Sequence, residues 1–153
     1  MFDYLGLAKQ VALLHIKSLV FVHFFSGFRR PTDLHACLDR QPLGPGLEIH
    51  VISVDLCLQR VQGNLVSSEA HAFWRGRILA GQIVGAGGGP PCETFSAARF
   101  TPGGPRALRS DEFPHGVPGL RQGEYQQLLV GTRLLHFILD MLLLLASLGG
   151  FGF

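Results

Sequence analysis

The chain has 153 residues, of which 47% are hydrophobic and 16% are charged, and its formal net charge is +2 at pH 7. This composition excludes an intrinsically disordered chain, which would be poor in apolar residues and rich in charge. The small positive charge does not by itself indicate a nucleic-acid partner. The length predicts a single domain with a substantial hydrophobic core.

Cysteine and histidine spacings argue against the common disulfide and metal frameworks. Cys37, Cys57 and Cys92 are far apart and form no C-x-x-C pair, so we predict neither a disulfide framework nor a zinc knuckle. The seven histidines show no H-x-x-x-H spacing, and we predict no metal site. Unpaired cysteines favour a reducing intracellular compartment, the nucleus or the cytoplasm. Cys37 and Cys57 lie on apolar faces and are predicted to be inert core thiols.

The first third of the chain alternates helix-like and strand-like segments. Residues 1–17 predict a helical extension, and SLVFVHFFSG at 18–27 predicts a buried strand. Asp33 is a predicted N-cap for a short helix. LEIHVISVDL at 47–56 then predicts a second strand with Asp55 at its carboxyl end.

The alternation continues to the end of the chain. Ser67 or Ser68 is a predicted cap for another helix, and QIVGAGGGPP at 82–91 predicts a short strand that breaks into glycine and proline. Residues 97–123 predict an irregular loop, and 124–148 predict a long helix. The final letters GGFGF are typical of the opening of another strand.

This order predicts an α/β fold with a parallel, Rossmann-like sheet. Residues 18–96 form the predicted βαβ core of a single domain. The first strand is expected in the middle, with the strands near 48–55 and 82–86 parallel on either side of it. Because the last strand is short, we expect the sheet to be truncated before its final strands.

The segment Leu134–Phe153 has two interpretations. It is twenty residues long and contains MLLLLASL, which is compatible with a membrane span. His136 and Asp140 lie inside it, however, and a charge near the middle of a span costs about 3 kcal/mol. We therefore favour a buried amphipathic helix running into a core strand, and keep a small membrane-associated protein anchored through 134–153 as the alternative.

Three segments are expected at the carboxyl edge of this sheet, where open parallel sheets bind their ligands. Phe25-Ser26-Gly27 ends the first strand, and its small residues allow close backbone approach to a ligand. Asp55 ends the second strand, where a carboxylate can accept both hydroxyls of a ribose. Gly89-Pro90-Pro91-Cys92 follows the third strand, where two prolines stiffen a turn that presents a thiol.

Together these segments resemble the cytosine-5 DNA methyltransferase family. The resemblance rests on HFFSG at 23–27, VDL at 54–56 and above all GGPPCETFSAAR at 88–99. It implies a class I methyltransferase sheet that binds S-adenosylmethionine and methylates cytosine in DNA. The family's general-acid motif, Glu-Asn-Val, would follow the next strand, after Phe153.

The resemblance also implies roles for individual residues. Cys92 would be the nucleophile that adds to C6 of a flipped-out cytosine, in a loop fixed by Pro90 and Pro91. Asn64 stands where the family usually has Asp, and Glu93 where it usually has Gln. The residues implied to contact the cofactor are Phe25, Ser26, Gly27, Asp55, Asn64 and Leu65.

The loop of 97–123 is rich in arginine, and Arg99, Arg106 and Arg109 are candidates for phosphate contacts with a nucleic-acid substrate. A solvated loop is the alternative interpretation. An alternative for the whole chain is a non-catalytic α/β fragment or module of a larger multidomain or retroelement-like protein that keeps the sheet without the chemistry.

Overall fold

The computed structural model describes residues 18–41 and 47–153, so the helix predicted over 1–17 lies outside the described residues. Within the described ranges, all strands join one parallel sheet in the order β2-β1-β3-β4. The strands are β1 (Ser18–Phe24), β2 (Glu48–Val54), β3 (Gly85–Gly87) and β4 (Phe151–Gly152). The predicted parallel α/β sheet, with the first strand between the second and the third, is confirmed.

Three α-helices connect these strands within the described residues. They are α1 (Leu34–Leu38), α2 (Ser68–Leu79) and α3 (Gln122–Ser147), and a short 3-10 turn covers Ala97–Phe100. The predicted caps are confirmed, because the side chain of Asp33 accepts from the Ala36 N–H and that of Ser67 accepts from the Ala70 N–H. The long helix begins two residues before its predicted start and ends one residue before its predicted end.

The chain reverses its direction across the sheet between β1 and β3. It passes from β1 outward to β2, then returns past β1 to β3 and continues to β4. Helices α2 and α3 share one core with the sheet, whereas α1 lies on the opposite face, where His35 Nδ1 is 2.9 Å from Ser53 Oγ. In a doubly wound sheet, the crevice at such a reversal is the expected ligand site.

The core lies between the sheet and the pair α2 and α3. Phe24, which is 0% exposed, is its centre. The Phe24 ring meets Trp74 and Phe137 edge-on, with centroid distances of 5.4 Å and 5.0 Å. Trp74 is a core residue, and its indole N–H donates to the Gln62 carbonyl at 2.8 Å. Such aromatic pairs stabilise a core beyond the area they bury.

Helix α3 is long and apolar enough, by length and composition alone, to cross a membrane. In the structure it packs on the sheet through Phe137, Ile138 and Met141. Asp140 is paired with α2, since its carboxylate lies 2.8 Å from His71 Nε2 and 3.2 Å from Arg75. The segment therefore has the predicted form of a core helix that runs into a strand, β4.

The sheet face that carries α1 has a polar cluster. Arg29 Nε donates to Asp33 at 2.7 Å, and the His35 ring contacts Ser53. Beside them His23 Nδ1 is buried and has no hydrogen-bond partner among the described residues. Burial lowers the pKa of His23 below its ordinary 6.5, with Asp33 opposing part of the shift. His23 is therefore neutral in the folded chain at pH 7.

A pH dependence of stability follows from His23. Its folded pKa is depressed, so the unfolded chain binds its proton more readily, and the free energy of unfolding should fall as pH drops below about 6.5. We expect urea unfolding midpoints to decrease between about pH 7.5 and pH 5, and less steeply in His23→Gln. His50→Gln is the control, because that side chain is 59% exposed on β2. An unchanged slope in His23→Gln would contradict the assignment.

Candidate functional site

The turn after β1 holds an unusual backbone conformation. Phe25 has a φ of +57° and Gly27 a φ of +64°, both in the left-handed region. For a bulky residue such as phenylalanine this conformation costs about 1–3 kcal/mol and is found mainly where the surroundings enforce it. The Ser26 N–H donates to the Val54 carbonyl at 3.2 Å, which fixes the turn against the end of β2.

Asp55 lies at the carboxyl end of β2, as predicted, and is bonded to the turn after β1. Its Oδ2 accepts from the Gly27 N–H at 3.1 Å, and its Oδ1 accepts from the Cys57 N–H at 3.0 Å. Burial would raise the pKa of Asp55, but these backbone hydrogen bonds outweigh it and hold the pKa below its usual value. Asp55 is therefore ionised at neutral pH, and the structure brings it together with Gly27.

The loop from Gln59 to Leu65 supports Asp55 from the other side. The Gln59 side chain accepts from the Asp55 N–H at 3.3 Å and donates to the Ser53 carbonyl at 3.0 Å. A Cβ on Gly63 would lie 2.1 Å from the Asp55 carbonyl oxygen, so this close approach requires glycine. Asn64 follows directly and is half-buried, whereas Leu65 is buried in the core.

Gly88 brings the end of β3 against the end of β1. A Cβ on Gly88 would lie 2.1 Å from the Phe24 carbonyl oxygen, so only glycine permits this approach. The Gly88 N–H donates to the Phe153 carbonyl at 3.1 Å. The loop of Gly89 to Cys92, with its two prolines, therefore starts in the crevice between β1 and β3.

The residues after Cys92 attach this loop to α3. Thr94 is buried, and a Cβ on Gly131 of α3 would lie 2.5 Å from the Thr94 hydroxyl. The Gln127 side chain donates to the Glu93 carboxylate at 3.0 Å. Cys92 itself is exposed at the end of this anchored loop.

The prediction that Cys37 and Cys57 are core thiols is wrong, because both are exposed. Cys37 lies on α1, a helix of five residues that buries none of them. Cys57 lies in the turn after β2, beyond the last residue that alternates into the core. Desolvation and the neighbouring Asp55 raise the pKa of Cys57. Exposure therefore does not distinguish Cys92 from the other two thiols.

The three arginines predicted to contact phosphates donate hydrogen bonds within the chain. Arg99 donates to the carbonyls of Glu93 and Arg106. Arg106 donates to the Gly119 carbonyl at 3.0 Å, and Arg109 donates to the Pro114 carbonyl at 2.7 Å. Hydrogen bonds from these guanidinium groups therefore stabilise the loop. Their contacts with a nucleic acid stay a prediction.

Contacts with Gln59, Gly63 and Thr94 were not part of the sequence prediction. Gly63 and Asn64 form a G-N pair, a turn signal that could have indicated the close approach to Asp55. The attachment of Thr94 to Gly131 has no local signal, because it joins residues of a loop and a helix that are distant in sequence.

The carboxyl edge thus combines the Asp55 carboxylate, the exposed thiols of Cys57 and Cys92, and two backbone turns. In the described part of the chain, no group of three or more His, Cys, Asp or Glu side chains could hold a metal ion. No protein-family model, no curated protein and no solved structure matches the chain.

Proposed function

We propose that the carboxyl edge binds S-adenosylmethionine and that the chain is a cytosine-5 methyltransferase-like domain acting on nucleic acid, DNA being the predicted substrate. The observation that carries the proposal is the Asp55 carboxylate, held by the Gly27 N–H at the reversal between β1 and β3. An acidic side chain at the end of the second strand is the group that binds a ribose in doubly wound sheets.

Asp55 fits that role by its hydrogen-bonding capacity. An ionised carboxylate is an acceptor only and offers about four lone-pair sites. The N–H groups of Gly27 and Cys57 occupy two of them. The Leu56 N–H and the Cys57 thiol also donate to this carboxylate, so a ribose hydroxyl would take the place of the thiol. The N–H donors also fix the orientation of the carboxylate before a ligand arrives, which lowers the entropy lost on binding.

Cys92 is the proposed nucleophile. When bound, S-adenosylmethionine supplies an electrophilic methyl group. The Cys92 thiolate would form a bond to C6 of cytosine, which moves an electron pair towards C5 and makes that carbon nucleophilic. Pro90 and Pro91 restrict the loop, and Thr94 anchors it on α3, so the thiol does not have to be ordered at each encounter. A free reactive thiol also requires a reducing compartment.

The ribose role predicts a specific loss of affinity. Asp55→Asn should weaken S-adenosylmethionine binding about 10-fold to 100-fold, because it removes the charge from the hydrogen bonds with the ribose. Glu48→Gln, the same change at the opposite end of β2, should leave affinity unchanged. Cys92→Ser should also bind normally, since the thiol acts on the base. Isothermal titration calorimetry measures all four proteins.

Two calorimetric results would contradict the proposed function. Equal affinity in wild type and Asp55→Asn would remove Asp55 from the ribose role. Absence of binding by the folded wild-type chain would favour the non-catalytic α/β module.

A further inference from the structure

A cavity of about 420 Å³ lies between the start of α2 and the middle of α3. Its walls carry the cationic or basic side chains Arg133, His136 and His71 and the hydroxyls of Ser67 and Ser68. None of the described residues that line it carries a carboxylate. A volume of this size is sufficient for a small organic ligand.

The carboxylate of Asp140 on α3 is paired with one of these basic residues, His71, and with Arg75 of α2. Asp140 accepts from Arg75 and lies 2.8 Å from His71 Nε2, and it is not part of the cavity wall. Arg133 and His136, in contrast, form no hydrogen bond or ion pair with other described side chains. The unpaired Arg133 guanidinium gives this wall a local positive potential that attracts anions.

The other residues of the cavity wall supply further polar and apolar contacts for an anionic ligand. Ser67 caps α2, so the backbone N–H of Ser68 lies in the first turn, where it has no partner within the helix. The positive end of the α2 dipole adds to the charge of Arg133. Phe137 supplies an apolar part of the cavity wall. The cavity therefore combines anion-binding and apolar contacts.

We propose that this cavity binds the phosphate group of a small phosphorylated molecule of mononucleotide size, with Arg133 as the main contact. Guanidinium groups recognise phosphate oxygens through two parallel N–H donors. The site goes beyond the proposed methyltransferase function and uses a different set of charged residues. Leu65 is the residue that both share, because it lines this cavity and was predicted to contact the cofactor.

The test is calorimetry with inorganic phosphate, AMP and adenosine. We expect AMP to bind at least 10-fold more tightly than adenosine, and inorganic phosphate to compete with it. Arg133→Gln should lose that preference while S-adenosylmethionine affinity stays unchanged. Arg60→Gln, an exposed arginine outside the cavity, is the matched control. Arg133→Lys should retain part of the affinity, because lysine keeps the positive charge but lacks the two parallel N–H donors of a guanidinium.

Several results would overturn the phosphate site. These are equal binding of AMP and adenosine, an equal loss in Arg60→Gln, or tighter binding of a single-stranded oligonucleotide that depends on Arg133. A parallel loss of S-adenosylmethionine binding in Arg133→Gln would assign the cavity to the cofactor instead. Failure of Asp55→Asn to weaken S-adenosylmethionine binding would leave the phosphate site intact, so the two proposals fail separately.

Discussion

Gly63→Ala is expected to lower the free energy of unfolding by about 3 kcal/mol, because the added methyl group overpacks a site whose neighbouring atoms cannot move away. The added Cβ would lie 2.1 Å from the Asp55 carbonyl oxygen and 2.5 Å from that of Gln59. Both neighbours are backbone atoms and cannot rotate away. Relief requires displacement of the turn that holds Asp55, so we also expect weaker S-adenosylmethionine binding. Urea unfolding gives the first quantity and calorimetry the second.

Gly76→Ala is the matched control for this substitution. Gly76 lies inside α2, and among the described residues no atom outside the backbone of its own helix lies within 4 Å of the added Cβ. Alanine should therefore raise the free energy of unfolding by about 0.5–1 kcal/mol, through its higher helix propensity. Destabilisation of similar size in both variants, or none in Gly63→Ala, would show that the Gly63 loop does not contact Asp55 as described.

Phe24→Ala should destabilise the chain by about 3–5 kcal/mol, the usual cost of deleting a buried aromatic ring. Phe24 is fully buried between Trp74 and Phe137, and its carbonyl faces Gly88. Loss of the ring leaves a cavity beneath the crevice where the proposed cofactor binds. Thermal and urea unfolding of the variant measure the effect.

Phe28→Ala is the control for the loss of an aromatic ring. Phe28 is 70% exposed, four residues further along the same segment. Its removal should change the free energy of unfolding by less than about 0.5 kcal/mol. If the two variants were equally destabilised, β1 would not be oriented with Phe24 towards α2 and α3.

The fold could be predicted because its signals are local. Apolar and β-branched runs indicate β1 and β2. The cap residues Asp33 and Ser67 indicate the starts of α1 and α2, and an apolar stripe indicates α3. Alternation of strands and helices then predicts a parallel sheet. The placement of Asp55 at the carboxyl edge follows directly from its position after β2.

Other features depend on contacts that no short segment encodes. Leu34, Cys37 and Leu38 have the i, i+3, i+4 spacing of an amphipathic helix. Cys37 is nevertheless exposed, because α1 is too short to bury one of its faces. Arg99, Arg106 and Arg109 donate to backbone carbonyls between 5 and 19 residues away, without a regular spacing that could predict them. The cavity beside Arg133 forms where α2 and α3 meet, so its members are separated by about half of the chain.

The proposed binding of S-adenosylmethionine in the crevice between β1 and β3 can be mapped residue by residue. The experiment is amide chemical-shift mapping by NMR, with unlabelled S-adenosylmethionine added to the isotope-labelled chain. We expect the largest changes at Gly27, Cys57, Gly88 and Gly89, with much smaller changes at Glu48 and Arg133. Changes centred on the Arg133 cavity, or spread evenly over the sheet, would contradict it.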